Sequence, residues 1–365
     1  MNTKVIEISS LKDVYKIRHL KNKFDEIVVN CQTLKYTGAL RYALKYSLFA
    51  CNIEGTIRIH DEPSSTFGFS RSKIDAWQVL HECANVFYND CSELLIDKSK
   101  SEFVFKKIRD NYKNSGITFG ILFSGNDDEL SDLITSVSSC IDQEKAPNKE
   151  ILICGPSGYD KSKFPDFINQ KTKYLDYVQE DITSRFLVNH KKKYIYEHAT
   201  YNIVCINHAR ISYSNSFYKD IIDYPIEFCS PRVVAYQNNI EFNYLGLSFL
   251  GSYDVARKDT VLSFQGDLID LDYLYYLKKR LPFIGGGLYV LNKNVVPTSI
   301  FDTRIAWGEA EDINLSMRIY HEGFLIDFFP QIKCFSSTTK YIYDNSIMRR
   351  LARRVAKYLV IHGYL

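Results

Sequence analysis

Residues 117–158 contain two apolar runs with a polar, helix-like segment between them. The runs ITFGILFSG (117–125) and EILICGPSG (150–158) are continuous and contain small residues at their ends. The segment NDDELSDLITSVSSCID (126–142) begins with Asn and Asp and repeats apolar residues three or four positions apart. Strands buried on both faces of a parallel sheet read as unbroken apolar runs, and Asn or Asp marks a helix start. The stretch therefore predicts a parallel strand–helix–strand unit.

Ligands of such sheets bind at the carboxyl ends of the strands. This rule predicts a pocket rim on the residues that end the two runs: Phe123, Ser124, Gly125, Cys154, Gly155 and Pro156.

Further elements of the same kind follow. The region 184–212 predicts a basic helix and a third strand, NIVCIN (202–207), which leads into His208-Ala209-Arg210. After a variable region come LPFIGGGLYVLNKNV (281–295) and WGEAEDINLSMR (307–318). In the latter, three carboxylates precede an apolar stretch with helical spacing.

The first 110 residues alternate strand-like and helix-like segments: FDEIVVN (24–30), GALRYALKYSLFAC (38–51), GTIRIHD (55–61) and KIDAWQVLHECANVFY (73–88). This order predicts a small α/β domain. It loosely resembles the second half of a Rossmann-type methyltransferase domain, but the glycine-rich loop that would hold S-adenosylmethionine is missing. We expect a degenerate or docking domain, and methyl transfer remains an alternative. The polar stretch FKKIRDNYKNSG (105–116) marks the boundary to the next domain.

Composition and charge limit the classes of function. Hydrophobic residues make up 45% and charged residues 24% of the 365-residue chain, which indicates a folded protein with a full core. The net charge of +3 is too small to indicate nucleic acid as a partner. The nine cysteines form no CxxC pair, so we expect reduced thiols and neither a zinc site nor a disulfide framework. The start MNTKVIEISS has no signal-peptide core, and no run of about 18 apolar residues occurs, so we expect a cytoplasmic protein.

Residues 117–335 together resemble a GT-A fold glycosyltransferase of family 2 in the broad sense. Four pieces carry the resemblance in the family's order: the first strand and helix, the second strand, the basic helix with its third strand, and GGGLYVLNK followed by WGEAEDINLSMRIYHEGF. The implied fold class is α/β, with a Rossmann-like mixed sheet flanked by helices. The expected domains are 1–110, 117–335 and a C-terminal helix over 340–365.

The resemblance implies transfer of a sugar from a nucleotide-diphosphate donor, with UDP-sugars expected first, to a hydroxyl of a glycan or lipid-linked acceptor. Such a reaction needs a base that receives the hydroxyl proton, and a carboxylate can serve as this base. Asp312 is our first choice for this base and Glu311 our second, and inversion is implied because one displacement needs one base. A helix cap or a solvated first turn is the alternative role for both acids.

The expected donor-binding residues are Phe123, Ser124, Gly155, Lys192, His208 and Arg210. Lys191 and Lys193 are further candidates for pairing with phosphate, and a solvated helix face is the alternative for all three lysines. The expected acceptor-binding residues are Gly285, Gly286, Gly287 and Trp307, because glycine permits close backbone approach and an indole ring can cover a sugar face. The alternative role of the three glycines is a simple turn, and the alternative role of Trp307 is packing in the core.

The sequence departs from the family at the site of the metal-binding acid. Many members carry Asp here, which binds Mn²⁺ or Mg²⁺, whereas this chain has Ala209 between His208 and Arg210. Three interpretations stay open: His208 holds the metal with a distant acid, Arg210 and lysines replace the metal, or the chain is a weak or inactive transferase that binds glycan or scaffolds a synthase. Asp267, Asp270 and Asp272 resemble a second Asp-x-Asp motif, but they follow the third strand at the wrong position, and we interpret them as loop residues.

The end of the chain, SIMRRLARRVAKYLVIHGYL (346–365), has the pattern of a basic amphipathic helix. Such a helix favours an anionic membrane surface, which would give peripheral contact with the inner face of a membrane and suit a lipid-linked acceptor. Packing on the domain and contact within an oligomer are the alternatives.

Overall fold

The computed structural model describes residues 3–35, 38–61, 69–97, 101–143, 146–178, 188–237, 240–250, 261–262, 281–305 and 310–338. Within these ranges the chain is a mixed α/β protein with three sheets. No helix in the described ranges is long and apolar enough to cross a membrane.

The strands of the described residues are β1 Val5–Ile8, β2 Phe24–Asn30, β3 Cys51–His60, β4 Cys91–Asp97, β5 Glu102–Lys107, β6 Ile117–Leu122, β7 Lys149–Pro156, β8 Lys173–Tyr177, β9 Ile203–His208, β10 Ile211–Tyr213, β11 Phe228–Gln237, β12 Ile240–Leu245, β13 Leu247–Leu250, β14 Val261–Leu262, β15 Leu281–Ile284, β16 Leu288–Asn292 and β17 Ile326–Ser336. The helices are α1 Leu11–Ile17, α2 Cys31–Leu34, α3 Leu40–Ala50, α4 Phe69–Phe87, α5 Leu130–Ile141, α6 Asp166–Lys171, α7 Val188–His198, α8 Phe217–Ile221 and α9 Glu311–His321.

The first sheet has the order β1-β2-β3-β5-β4. Strands β1, β2 and β3 are parallel, and β5 and β4 add to them in antiparallel fashion. The strand predicted at 24–30 coincides with β2, and the helix predicted at 38–51 contains α3. The predicted strand–helix alternation of this region is confirmed.

The central sheet has the order β10-β17-β11-β16-β9-β6-β7-β8, with β12 paired to β11. Strands β9, β6, β7 and β8 are mutually parallel, whereas β16 runs antiparallel to β9. All six residues of β6 are buried, as expected for a strand covered on both faces. The parallel strand–helix–strand unit predicted from residues 117–158 is therefore confirmed.

Helix α7 packs closely against β6. A Cβ atom at Gly120 would overlap the Cγ2 methyl group of Ile195, so only glycine lets the helix approach the strand this closely. This close packing brings the basic residues of α7 to the carboxyl end of β6.

Two apolar clusters lie on opposite faces of the central sheet. Leu152 and Val204 belong to one cluster, and their neighbours Ile153 and Ile203 belong to the other. The first cluster also contains the core of the first sheet, including Phe49. The first sheet and one face of the central sheet therefore share one continuous core.

The nine cysteines are free thiols, and all are buried except the half-buried Cys91. Burial raises the pKa of the Cys31 thiol to about 12, and such a group is a weak nucleophile.

Candidate functional site

The carboxyl ends of the parallel strands and the glycine loop meet at one edge of the central sheet. The Phe123 amide donates to the Cys154 carbonyl at 3.0 Å, which joins the ends of β6 and β7. The His208 amide donates to the Gly287 carbonyl at 3.1 Å, which joins the end of β9 to the loop before β16. Residues predicted for the donor side and for the acceptor side therefore lie on the same edge.

Helix α9 begins at the acidic pair, as predicted. Ala310 precedes it in the left-handed conformation, with φ of 58°, and provides no side-chain cap. The Asp312 Oδ2 atom accepts a hydrogen bond from the Gly286 amide at 3.2 Å, and its Oδ1 accepts one from the Ile313 amide at 2.9 Å. The Asp312 carboxylate thus serves partly as a cap and also joins the helix to the glycine loop.

Glu311 points towards a fully buried lysine of α7. The Lys192 Nζ atom lies 3.9 Å from Glu311 Oε1, and the Lys192 side chain is 0% exposed. Lys192 Nζ also donates to the Tyr289 hydroxyl at 3.3 Å and lies 4.5 Å from the centre of that ring. Because a buried ammonium is costly without a nearby negative charge, Glu311 provides electrostatic compensation for Lys192.

Tyr289 links this group to the sheet. Its side chain is 0% exposed, and burial raises the pKa of its hydroxyl well above the usual range. The charges of Asp312 and Glu311 raise this pKa further. Tyr289 therefore remains protonated and able to donate a hydrogen bond throughout the physiological pH range.

The three lysines of α7 have different surroundings. Lys191 is buried and donates from Nζ to the Phe123 carbonyl at 2.9 Å, while Lys193 is half-exposed and lies 3.6 Å from Glu197. Burial lowers the pKa of the Lys191 ammonium. The alternative that the three lysines form a solvated helix face is therefore wrong for Lys191 and Lys192, which are buried. The partial exposure of Lys193 agrees with it.

Phe123 and Gly155 contribute to packing at the predicted donor rim. The Phe123 ring is buried and meets the Tyr159 ring edge to face, with 5.0 Å between ring centres. A Cβ atom at Gly155 would overlap the Tyr174 hydroxyl and lie 3.1 Å from the Phe123 ring. Ser124 is exposed and accepts a hydrogen bond from the Asn126 amide at 3.1 Å through its hydroxyl. Of these predicted donor residues, Ser124 presents an accessible side chain.

The end of β9 does not present the ligands of a metal site. Ala209 is buried in the apolar cluster that contains Ile211 and Tyr213, while His208 and Arg210 on either side are half-buried. Within the described ranges, no three His, Cys, Asp or Glu side chains come together in a way that would hold a metal ion. The described residues around His208 therefore present no set of three such ligands.

Of the predicted acceptor residues, Gly286 lies beside the acids, whereas Trp307 lies outside the described residues. Gly286 is bound to Asp312, and the Gly285 amide donates to the Gly246 carbonyl at 3.2 Å. The acidic pattern at 267–272 and the C-terminal helix over 340–365 also lie outside the described residues.

Sequence reasoning missed Tyr289. Its signal is the two-residue period of β16, in which Tyr289 and Leu291 share the face covered by α7, while Leu288 and Val290 belong to the other cluster. A polar side chain on a buried strand face beside a lysine-rich helix is the feature that would have pointed to it.

No family model matches the sequence. No curated protein matches it either. The crystal structure of S. aureus TarS residues 1–349 is similar to part of the chain, with a TM-score of 0.38 and 10% sequence identity. The match covers 61% of this chain and 60% of that one, so this chain spans about three fifths of the TarS structure. At this TM-score the similarity carries no conclusion about fold or function.

Proposed function

We propose that the chain is a GT-A type glycosyltransferase that moves a sugar from a nucleotide-diphosphate donor to a hydroxyl of a glycan or lipid-linked acceptor, with inversion. The observation that carries this proposal is the hydrogen bond of 3.2 Å from the Gly286 amide to Asp312. It joins a glycine loop to the first turn of an acidic helix at the edge where the parallel strands end. Parallel sheets bind their ligands at this edge.

The geometry favours Asp312 over Glu311 as the base. Glu311 is buried and compensates the charge of Lys192, whereas Asp312 is half-buried and is held by uncharged backbone amides. In the proposed step the acceptor hydroxyl gives its proton to Asp312, and the hydroxyl oxygen bonds to the anomeric carbon. The bond from that carbon to the diphosphate breaks, and the nucleoside diphosphate leaves with the electron pair.

The leaving diphosphate needs positive charge nearby. Lys192, His208 and Arg210 are the cationic candidates of the proposal, together with Lys191, which lies against the Phe123 carbonyl. In the proposed step these cations alone neutralise the leaving diphosphate, because the described residues present no set of three metal ligands. The proposed domains are 1–110, 117–335 and the C-terminal helix 340–365. We further propose a cytoplasmic location, with peripheral membrane contact through this helix.

A nucleotide-release assay tests this function. The release of UDP from a panel of UDP-sugars, and then of other nucleotides from their sugars, would be compared for the parent chain and Asp312→Asn. We expect the substitution to lower turnover by about 10²–10⁴-fold, the contribution typical of a general base. Glu322→Gln is the matched control, because Glu322 is an exposed carboxylate at the other end of α9. Equal turnover of parent and Asp312→Asn would remove Asp312 as the base.

One observation favours a second candidate function, a GT-A-like module that binds glycan or scaffolds a synthase without catalysis. Ala209 occupies the position of the expected acid and is packed in an apolar cluster. Calorimetry with UDP, with and without Mn²⁺, distinguishes the two functions. Binding of UDP at micromolar concentration, with or without Mn²⁺, would contradict the binding-module candidate.

A further inference from the structure

Helix α3 packs on the first sheet and presents one polar face to the end of the acidic helix α9 and to the segment that follows it. Arg41, Tyr42, Lys45 and Tyr46 are spaced so that they share one side of a helix. All four are buried. Each contacts residues of the central sheet or of the segment that leads into it.

Arg41 caps the end of α9 that lies away from the acids. Its Nη1 atom donates to the Tyr320 carbonyl, and its guanidinium carbon lies 3.8 Å from the centre of the Tyr320 ring. Glu82 of α4 accepts hydrogen bonds from the same guanidinium, one of them at 3.1 Å. The last carbonyls of a helix have no partner within the helix, so Arg41 supplies a donor and a favourable positive charge there.

Helix α4 also contacts the turn after α9. Gly323 has φ of 85°, a left-handed conformation that ends the helix and favours glycine. A Cβ atom at Gly323 would lie 3.0 Å from Asn85 Cβ. The helix end is therefore enclosed by α3 and α4 together.

The remaining residues of the α3 face bind the start of β17. The Tyr42 hydroxyl donates to the Ile326 carbonyl, and the Tyr46 hydroxyl donates to Asp327 Oδ2 at 3.1 Å. Lys45 Nζ donates to Glu227 Oε1 at 2.6 Å, and Glu227 Oε2 accepts from the Leu325 amide at 2.6 Å.

We propose that helix α3 positions the acidic helix, with Arg41 as the principal positioning residue, so that the first sheet acts as a brace for the candidate site. The catalytic part of this inference rests on the proposed function. Helix α9 has its carboxylates at one end and the Arg41 cap at the other. Because an α-helix moves as a semi-rigid rod, a shift at the capped end displaces Asp312 relative to Gly286.

Hydrogen exchange measured on the full chain tests the structural part without any substrate. In Arg41→Met we expect exchange in the peptide covering 311–323 to rise by about tenfold or more, since hydrogen bonds to charged groups are among the stronger ones. Exchange in α5 should stay unchanged. Tyr42→Phe removes a single hydrogen bond and should give a smaller rise in the same region, which keeps the test valid if Arg41→Met does not fold.

Arg58→Met is the matched control. Arg58 belongs to the same sheet, pairs with Glu26 at 2.6 Å, and is 38% exposed in its side chain, away from the brace. We expect no change of exchange in 311–323. Unchanged exchange in that peptide for both Arg41→Met and Tyr42→Phe would overturn the brace.

Nucleotide-release kinetics test the catalytic part. In Arg41→Met we expect kcat to fall while KM for the donor stays constant, and Arg41→Lys should restore part of kcat because it returns a cationic donor. A change in KM alone would contradict positioning of Asp312. If the parent chain releases no nucleotide, the proposed function fails, while the exchange experiment still decides whether the brace exists.

Discussion

Lys45 Nζ lies 2.6 Å from Glu227 Oε1, and this ion pair joins the first sheet to the central sheet inside the shared core. The Lys45 side chain is 4% exposed and the Glu227 side chain 0%. The Tyr112 hydroxyl also donates to Glu227 Oε1, at 2.7 Å. A negative charge held by several donors therefore anchors the segment that precedes β11.

Removing one partner of this pair should destabilise the fold strongly. We expect Glu227→Gln to lower the free energy of unfolding by about 3–5 kcal/mol, because it leaves the buried Lys45 ammonium without its ion-pair partner. Lys45→Met should cost less, since Tyr112 and the Leu325 amide still donate to Glu227. Urea unfolding measures both changes.

The double variant Lys45→Met/Glu227→Gln provides the control for this prediction. It should lose less stability than the sum of the two single losses, because the two charges are coupled. Additive losses would show that the pair contributes no interaction energy of its own.

Gly286→Ala should affect turnover more than stability. A Cβ atom at Gly286 would lie 3.0 Å from Glu311 Oε1 and 3.6 Å from Asp312 Cβ, while the φ of Gly286 is not in the left-handed region. We expect the free energy of unfolding to change by less than about 1 kcal/mol, since alanine can adopt this conformation. The displaced carboxylates should lower nucleotide release.

Adding Gly286→Ala to Asp312→Asn tests the route of this effect. If the glycine acts through Asp312, the double variant releases nucleotide as slowly as Asp312→Asn alone. A further loss in the double variant would assign Gly286 a separate role, such as direct contact with the acceptor.

Gly155→Ala should destabilise the aromatic packing behind the predicted donor rim. The new methyl group would overlap the Tyr174 hydroxyl, which donates to the Pro156 carbonyl at 3.0 Å. Overpacking of this kind costs typically about 1–3 kcal/mol. Thermal or urea unfolding measures the loss.

Tyr174→Phe provides the matched background for Gly155→Ala. It removes the atom nearest to the added methyl group, so Gly155→Ala should cost less in this background than in the parent chain. An equal cost in both backgrounds would show that the strain arises elsewhere, for example at the Phe123 ring.

His19 should make the fold sensitive to mild acid. Burial lowers the pKa of its imidazole, with Asp327 opposing this effect, so the folded state holds His19 neutral below its usual value of 6.5. As the pH falls below 6.5, His19 binds a proton in the unfolded state but stays neutral in the folded state. The free energy of unfolding therefore decreases until the pH reaches the lowered pKa of the folded state. The loss is at most about 1.4 kcal/mol per pH unit for one group.

His19→Asn tests the pH dependence. His19 has φ of 62°, and asparagine tolerates this left-handed conformation while removing the titrating ring. Between pH 7 and pH 5 the midpoint of thermal unfolding should fall more steeply in the parent chain than in His19→Asn. Parallel curves would exclude His19 as a source of acid sensitivity.

The local elements were predictable from sequence because their signals are short-range. The unbroken apolar runs at 117–125 and 150–158 correspond to β6 and β7, and the helix predicted within WGEAEDINLSMR (307–318) begins at Glu311. The helix predicted at 126–142 begins with a 3₁₀ turn over Asp127–Glu129 before α5. Periodicity predicts such elements but not the exact turn geometry at their ends.

The candidate site was predictable only in part. Placement of Asp312 at a helix start beside a glycine loop follows from the order of the motifs, whereas the burial of Lys191 and Lys192 does not. A lysine-rich sequence usually indicates a solvated face, and here the close packing of α7 on Gly120 carries two of the lysines inside.

The sequence by itself determined elements such as β2, β6, β7 and α3 and the position of the acidic pair at the start of α9, because these depend on residues only a few positions apart. Only the tertiary structure decided which charges meet. Lys192 lies beside Glu311, Lys45 beside Glu227 and Arg41 beside the Tyr320 carbonyl, although 119 to 279 residues separate the partners. Such pairs are set by the packing of whole elements around the shared core, and that packing is a property of the complete fold rather than of any segment.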